Sequence, residues 1–137
     1  MNWTLEVVVV PVKDVDRAKS FYADQLGFAV DHDVSPGPGV RVVQLTPPGS
    51  GCSIVLGTGI GDMAPGSLQG VQLVVNDLHA AHRQLVERGV ECTEVQVAGP
   101  AGFQAAKEDD DLNNSGFVFF ADPDGNRWSI QQITARP

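Results

Sequence analysis

The same order of strand-forming and helix-forming stretches occurs twice along the chain, and this repetition limits the possible folds more than any single motif does. The first copy opens with "TLEVVVVPVKDVDRAKSFYADQLGF", a β-branched strand followed by a helix. In that helix Val15, Ala18, Phe21, Tyr22 and Leu26 share one apolar face. Asp14 or Asp16 supplies the carboxylate that accepts the free amide hydrogens of the first turn. Gly27 ends the helix by taking the left-handed conformation that a side chain opposes. Three short alternating runs follow, "FAVDHDV", "VRVVQLT" and "CSIVLGT", separated by the loops "SPGPG" and "PPGSG". The copy therefore reads β-α-β-β-β.

The second copy keeps that order. "GVQLVVNDLHAAHRQLVERGV" gives a strand, an Asp at the helix start, an apolar face of Leu78, Ala81, Leu85 and Val86, and a terminating Gly89. Its strands are "ECTEVQV", "GFVFFAD" and "RWSIQQI". Val12-Lys13-Asp14-Val15 with Ala18 aligns on Val75-Asn76-Asp77-Leu78 with Ala81, and Gly27-Phe28 aligns on Gly89-Val90 one residue out of register. The expected organisation is a single domain over 1–137, with module one at 5–60, a linker at 61–67 and module two at 68–133. Between "TEVQV" and "GFVFF" the segment 98–116 is rich in Gly, Pro and acidic residues, which predicts a mobile segment, read first as a solvated acidic loop, with a lid or binding loop as the alternative. Phe103 and Leu112 are its lid candidates.

Composition narrows the function classes. A net charge of −8 excludes a phosphate-backbone partner, because neutralising phosphates needs clustered Lys and Arg, so no nucleic-acid role is expected. The longest apolar run, Val7 to Val10, is far too short for a membrane span, and the N-terminus lacks a signal-peptide layout, so a cytoplasmic protein without membrane partners is expected. Cys52 and Cys92 have no CxxC spacing and read as buried reduced thiols rather than a disulfide or zinc framework.

"VKDVDRAKSFYADQLGF" together with "FADPDGNRWSIQQI" resembles the vicinal oxygen chelate superfamily, which includes glyoxalase I, bleomycin-resistance proteins, extradiol dioxygenases and methylmalonyl-CoA epimerase. The resemblance covers roughly residues 5–133 and implies an α+β fold in which two βαβββ modules form a curled, cup-shaped mixed sheet. It also implies homodimers and a ligand or metal held in the cup. Metal-dependent members place His or Gln on each module's first strand, about seven residues before the helix-start Asp, and Glu on each last strand. In this chain those positions fall on Val7, Gly70, Val55 and Ser129, which lack the imidazole, carboxylate or thiolate donors a divalent metal needs. No metal or other cofactor is expected.

Side chains alternate across a strand, so the last strand splits into Trp128 and Ile130 on one face and Arg127, Ser129 and Gln131 on the other. With the apolar set under the helices, the polar set faces the cup. The same parity places Val7, Val9, Gln44, Ser53, Val55 and Gln72 among the ligand contacts, beside Ser129 and Gln131. His79 and His82 lie at i, i+3 on the second helix, outside the cup, and read as solvated residues. His32, flanked by Asp31 and Asp33, is read as an exposed edge residue, with a proton carrier as the alternative. No catalytic set can be assembled from spacing. The expectation is a metal-independent binder of a small organic molecule, a metabolite or drug. The alternative is a lyase or isomerase of the glyoxalase type, with or without a metal.

Overall fold

In a computed structural model that describes residues 1–135, the Asp14 carboxylate accepts the Arg17 amide at 3.0 Å and starts helix α1, Val15–Ser20. Asp14 is thus the cap, while Asp16 pairs with Arg41. The helix continues as a π-helical turn, Phe21–Gln25, and Gly27 follows it at φ 78°. Asp77 starts helix α2, Leu78–Glu87, in the same way, accepting the Ala80 amide at 3.1 Å, and Gly89 follows at φ 76°.

The contacts divide the chain into two units. Unit 1 holds Met1–Leu68 together with Asp122–Asn126; unit 2 holds Gln69–Ala121 and the chain from Arg127 onward. The segment 61–67 belongs to unit 1. In unit 1, strands β1 (Val7–Val9), β2 (Ala29–Gly37), β3 (Val40–Thr46) and β4 (Ser53–Thr58) form a sheet ordered β1-β4-β3-β2. β1 runs parallel to β4 and the other pairs are antiparallel, so the sheet is mixed. Val43, Leu45, Ile54 and Leu56 are buried on one face, with Ala18, Phe21 and Tyr22 of the helical segment. Charges at the rim tie the helix to the sheet: Asp33 binds Lys19 at 2.8 Å and Arg41 at 2.9 Å, and Arg41 reaches Asp16 at 2.8 Å. The loop expected at "SPGPG" is largely strand, since β2 runs through Ser35 and Pro36 with register shifts. Proline is tolerated there because β2 is a sheet edge and no ladder hydrogen bond is lost.

In unit 2, β5 (Val71–Val75), β6 (Gln96–Gly99), β7 (Gly102–Ala105), β8 (Gly116–Ala121) and β9 (Arg127–Gln132) form a sheet ordered β5-β9-β8-β6-β7. β5 is parallel to β9. Leu78 and Leu85 of α2 are buried with Val118, Phe120, Trp128 and Ile130, and Phe120 stacks on Trp128 at 5.9 Å. Two mixed, unclosed sheets with few helices make the fold α+β, as the resemblance implies.

Segment 98–116 differs from the expected loop. Its first part forms the β6–β7 hairpin, in which Gly99 pairs with Gly102, and Gly102 takes φ 92° after Pro100 and Ala101. Leu112 is 4% exposed, and a Cβ added at Gly116 would lie 2.8 Å from the Leu112 Cβ and 3.1 Å from Leu78 Cδ2. Leu112 therefore packs at the helix side of unit 2 and is not a lid residue; its single apolar side chain outweighs the acidic composition around it.

The turn Asp122–Asn126 joins β8 to β9 and is organised by two buried polar residues. The Asp122 carboxylate accepts the amides of Asp124 and Asn126, each at 2.9 Å, the Tyr22 hydroxyl at 2.8 Å and the Asn126 side-chain amide at 2.7 Å. Asn126, fully buried, also donates to the Pro11 carbonyl at 2.9 Å and accepts from the Leu68 amide at 3.0 Å. The "DPDGN" motif is thus a structural plug of unit 1, in which the Asp122 carboxylate and the Asn126 amide are buried with partners, while Asp124 Oδ2 is buried without one among the described residues.

Candidate functional site

Each sheet has one face covered by its helix and one free of it. In unit 1 the free face carries Val7 opposite Ser53, and a row running Val9, Val55, Gln44 and His32 across four strands. Ser53 differs from the other expected ligand contacts. It is 6% exposed and its hydroxyl is held by Thr46 Oγ1 at 2.6 Å, while Thr46 also hydrogen-bonds Asp31. Its proton goes to Thr46, whose own proton goes to Asp31, and its burial leaves little of the hydroxyl on the surface, so Ser53 is a structural contact. His32 has no carboxylate of Asp33 beside it, because Asp33 pairs with Val43 on the helix side and is neutralised there by Arg41 and Lys19. Those two cations hold the Asp33 carboxyl well below the usual carboxylate range, and Asp33 in turn raises Arg41.

In unit 2 the register places Gln72, Ser129 and Phe119 in one cross-strand row and Val74, Gln131, Phe117 and Gln96 in the next. The polar groups are linked. Ser129 Oγ donates to Gln72 Oε1 at 3.1 Å, Gln72 Nε2 donates to Gln131 Oε1 at 2.6 Å, and Gln131 Nε2 donates to the Asn114 carbonyl at 2.8 Å. This chain fixes which atom of each amide is donor and which is acceptor, so the row presents oriented hydrogen-bonding groups rather than free rotors. Gln132, one residue on, points the other way and accepts the Leu78 amide at 3.0 Å, which reinforces the start of α2.

Beside the amides stand three phenylalanines. Phe117 and Phe119 stack at 6.0 Å, and Phe103 from β7 meets both edge-on, at 5.4 Å and 5.0 Å. Phe103 is 52% exposed, a large apolar surface to leave in water. Phe117 and Phe119 were missed in the sequence. "GFVFF" alternates apolar residues at both parities, and only the pairing of Phe119 with Ser129 and of Phe117 with Gln131 tells which face each phenylalanine takes.

The family follows from the match. The profile of the Glyoxalase/Bleomycin resistance protein/Dioxygenase superfamily matches residues 4–130. The chain belongs to this superfamily. Solved structures agree. TnmS3, an antibiotic binding protein from Streptomyces sp. CB03234, is 32% identical with a TM-score of 0.74, over 96% of this chain and 97% of that one. A glyoxalase/bleomycin resistance protein from Streptomyces sp. CB03234 is 33% identical with a TM-score of 0.71, over 94% and 100%. A superfamily member from Sphaerobacter thermophilus DSM 20745 is 28% identical with a TM-score of 0.75, over 96% and 98%. No curated protein matches.

The metal that the superfamily implies does not fit this chain's residues. Val7 on β1 and Val55 on β4 are hydrocarbon, Gly70 precedes β5 without a side chain, and the Ser129 hydroxyl is engaged with Gln72. A divalent ion needs imidazole, carboxylate or thiolate donors. Among the described residues no three His, Cys, Asp or Glu side chains stand together as a possible metal site. Nor, among them, is any helix long and apolar enough to cross a membrane.

Proposed function

We propose that this superfamily member is a metal-independent binding protein for a small organic molecule, a metabolite or drug. The observation that carries the reading is the helix-free face of unit 2, where Phe103, Phe117 and Phe119 adjoin the oriented Gln72, Ser129 and Gln131 groups. Small-molecule sites combine an apolar bed with a few placed hydrogen-bonding groups. Val7, Val9, Val55 and Gln44 supply further contacts on unit 1's own face. The likeness to TnmS3, an antibiotic binding protein, supports a ligand of this kind. Metal independence is supported by the donor-poor residues Val7, Val55, Gly70 and Ser129. The same reading takes the working form as a homodimer, supported by the exposed alternate residues Met1, Trp3, Leu5 and Val7 leading into the edge strand β1.

The test is equilibrium binding of the neutral fluorophore N-phenyl-1-naphthylamine before and after dialysis against EDTA. Binding that weakens in Phe117→Ala and survives EDTA is expected. Binding lost on EDTA treatment and restored by zinc, nickel, iron or manganese would overturn metal independence; no binding at all would overturn the site.

A further inference from the structure

Arg127 opens β9 on the same face as Ser129 and Gln131. The strand residues of that face in unit 2 are otherwise neutral: amides, a hydroxyl, phenylalanines, valine and alanines. Among the described residues no ion pair involves Arg127, although Arg17, Lys19 and Arg41 are all engaged by carboxylates. Its flanks are small. Ala121 is its cross-strand partner on β8, and continuing the parallel β5–β9 register by one residue sets Gly70 on its other side. A Cβ added at Gly70 would meet nothing within 4 Å, so the space there is open. An opening of about 360 Å³ is lined by Phe119, Ala121 and Arg127, together with Phe120 and Trp128. Phe119, partner of Ser129, is the diagonal neighbour of Arg127 and brings the aromatic cluster to the guanidinium.

From this we infer that the site takes a planar aromatic molecule carrying an anionic group, a carboxylate, sulfonate or phenolate, whose ring lies on the Phe117 and Phe119 side and whose anion is bound by Arg127. The inference rests on the proposed small-molecule site and names its ligand class. Arginine suits the task because its charge does not titrate and its planar fork pairs two oxygens at once. An electropositive anchor then stands beside Gly70 and Ser129, where metal-dependent relatives would place a metal ligand. The chain's net charge of −8 repels an anion in general, so the attraction has to come locally, from Arg127.

Two naphthalene probes of similar size separate the claims: the anion 8-anilinonaphthalene-1-sulfonate and the neutral N-phenyl-1-naphthylamine. Each is titrated against the wild-type chain and the Arg127→Gln, Arg127→Lys, Phe117→Ala and Arg83→Gln variants, with melting temperatures recorded. Arg127→Gln is expected to weaken the anionic probe about tenfold or more, the scale of a lost charge-assisted hydrogen bond, and the neutral probe less than about twofold. Arg127→Lys retains part of the preference, Phe117→Ala weakens both probes, and Arg83→Gln, on α2, changes neither. If the neutral probe binds while the anion is indifferent to Arg127, or responds equally to Arg83→Gln, the anion inference is wrong and the binding site stands. If neither probe binds, both fail.

Discussion

At the scale of single residues, the two faces of β9 have different consequences when altered. Gln131 is tied to Gln72 and to the Asn114 carbonyl on the helix-free face, whereas Trp128 is buried against Phe120. Gln131→Leu is expected to weaken N-phenyl-1-naphthylamine binding by about 1 kcal/mol, roughly fivefold, with little change in melting temperature. Trp128→Ala empties a packed site and is expected to cost roughly 3 to 5 kcal/mol of stability in urea unfolding. The reverse pattern would invert the assignment of the faces. Asn126 gives a third expectation. Replacing it by alanine takes from the Leu68 amide its side-chain acceptor and from the Pro11 carbonyl one of its two donors, the Gly66 amide at 3.0 Å being the other. The loss is expected to be about 1 to 3 kcal/mol from the one amide left unsatisfied, and an unfolding midpoint equal to wild type would show that water replaces the side chain.

At the scale of elements, helix α1 is held to β2 and β3 by carboxylates and cations at the sheet rim, and this makes its attachment sensitive to acid. Asp33 is depressed by Arg41 first and Lys19 second, so it stays ionised below the pH at which an unfolded aspartate protonates. A group with a lowered folded pKa adds stability above its unfolded pKa of about 3.9 and loses it as the pH falls toward the folded value. Melting temperature is therefore expected to fall below about pH 4, and Asp33→Asn to be less stable at pH 7 with a shallower fall in acid. Equal acid slopes for the two proteins would remove Asp33 from the account. Because the residues are at the surface, added salt should shrink the difference at pH 7. The β6–β7 hairpin answers to different forces: its residues are mostly exposed, and the edge-on contacts of Phe103 with Phe117 and Phe119 anchor it to β8.

For the molecule as a whole, the proposed homodimer follows from apolar surface that a lone chain leaves in water. Trp3 is 88% exposed and Leu5 69%, on the segment that leads into β1. An unpaired strand edge beside apolar side chains invites a second chain. Sedimentation equilibrium at micromolar concentration is expected to give twice the chain mass, and Trp3→Ser with Leu5→Ser to shift the chain toward monomer. A wild-type monomer at that concentration would remove the dimer.

The sequence by itself determined the repeat, the two capped helices, their glycine stops and the strand parity. Each rests on interactions between residues close along the chain: Asp14 with the Arg17 amide, Asp77 with the Ala80 amide, Trp128 opposed to Ser129. The donor-poor residues at Val7, Gly70, Val55 and Ser129 were legible for the same reason, since residue type alone decides whether a donor exists. What only the tertiary structure decided depends on strand pairing. Phe117 and Phe119 became candidates for the site because their partners are Gln131 and Ser129, and Ser53 and Leu112 left it because Thr46 and Leu78 stand against them. Parity names the two faces of a strand, but only the neighbouring strand and the packed helix determine which side is buried, which hydroxyl is already bonded and which arginine remains free for a ligand.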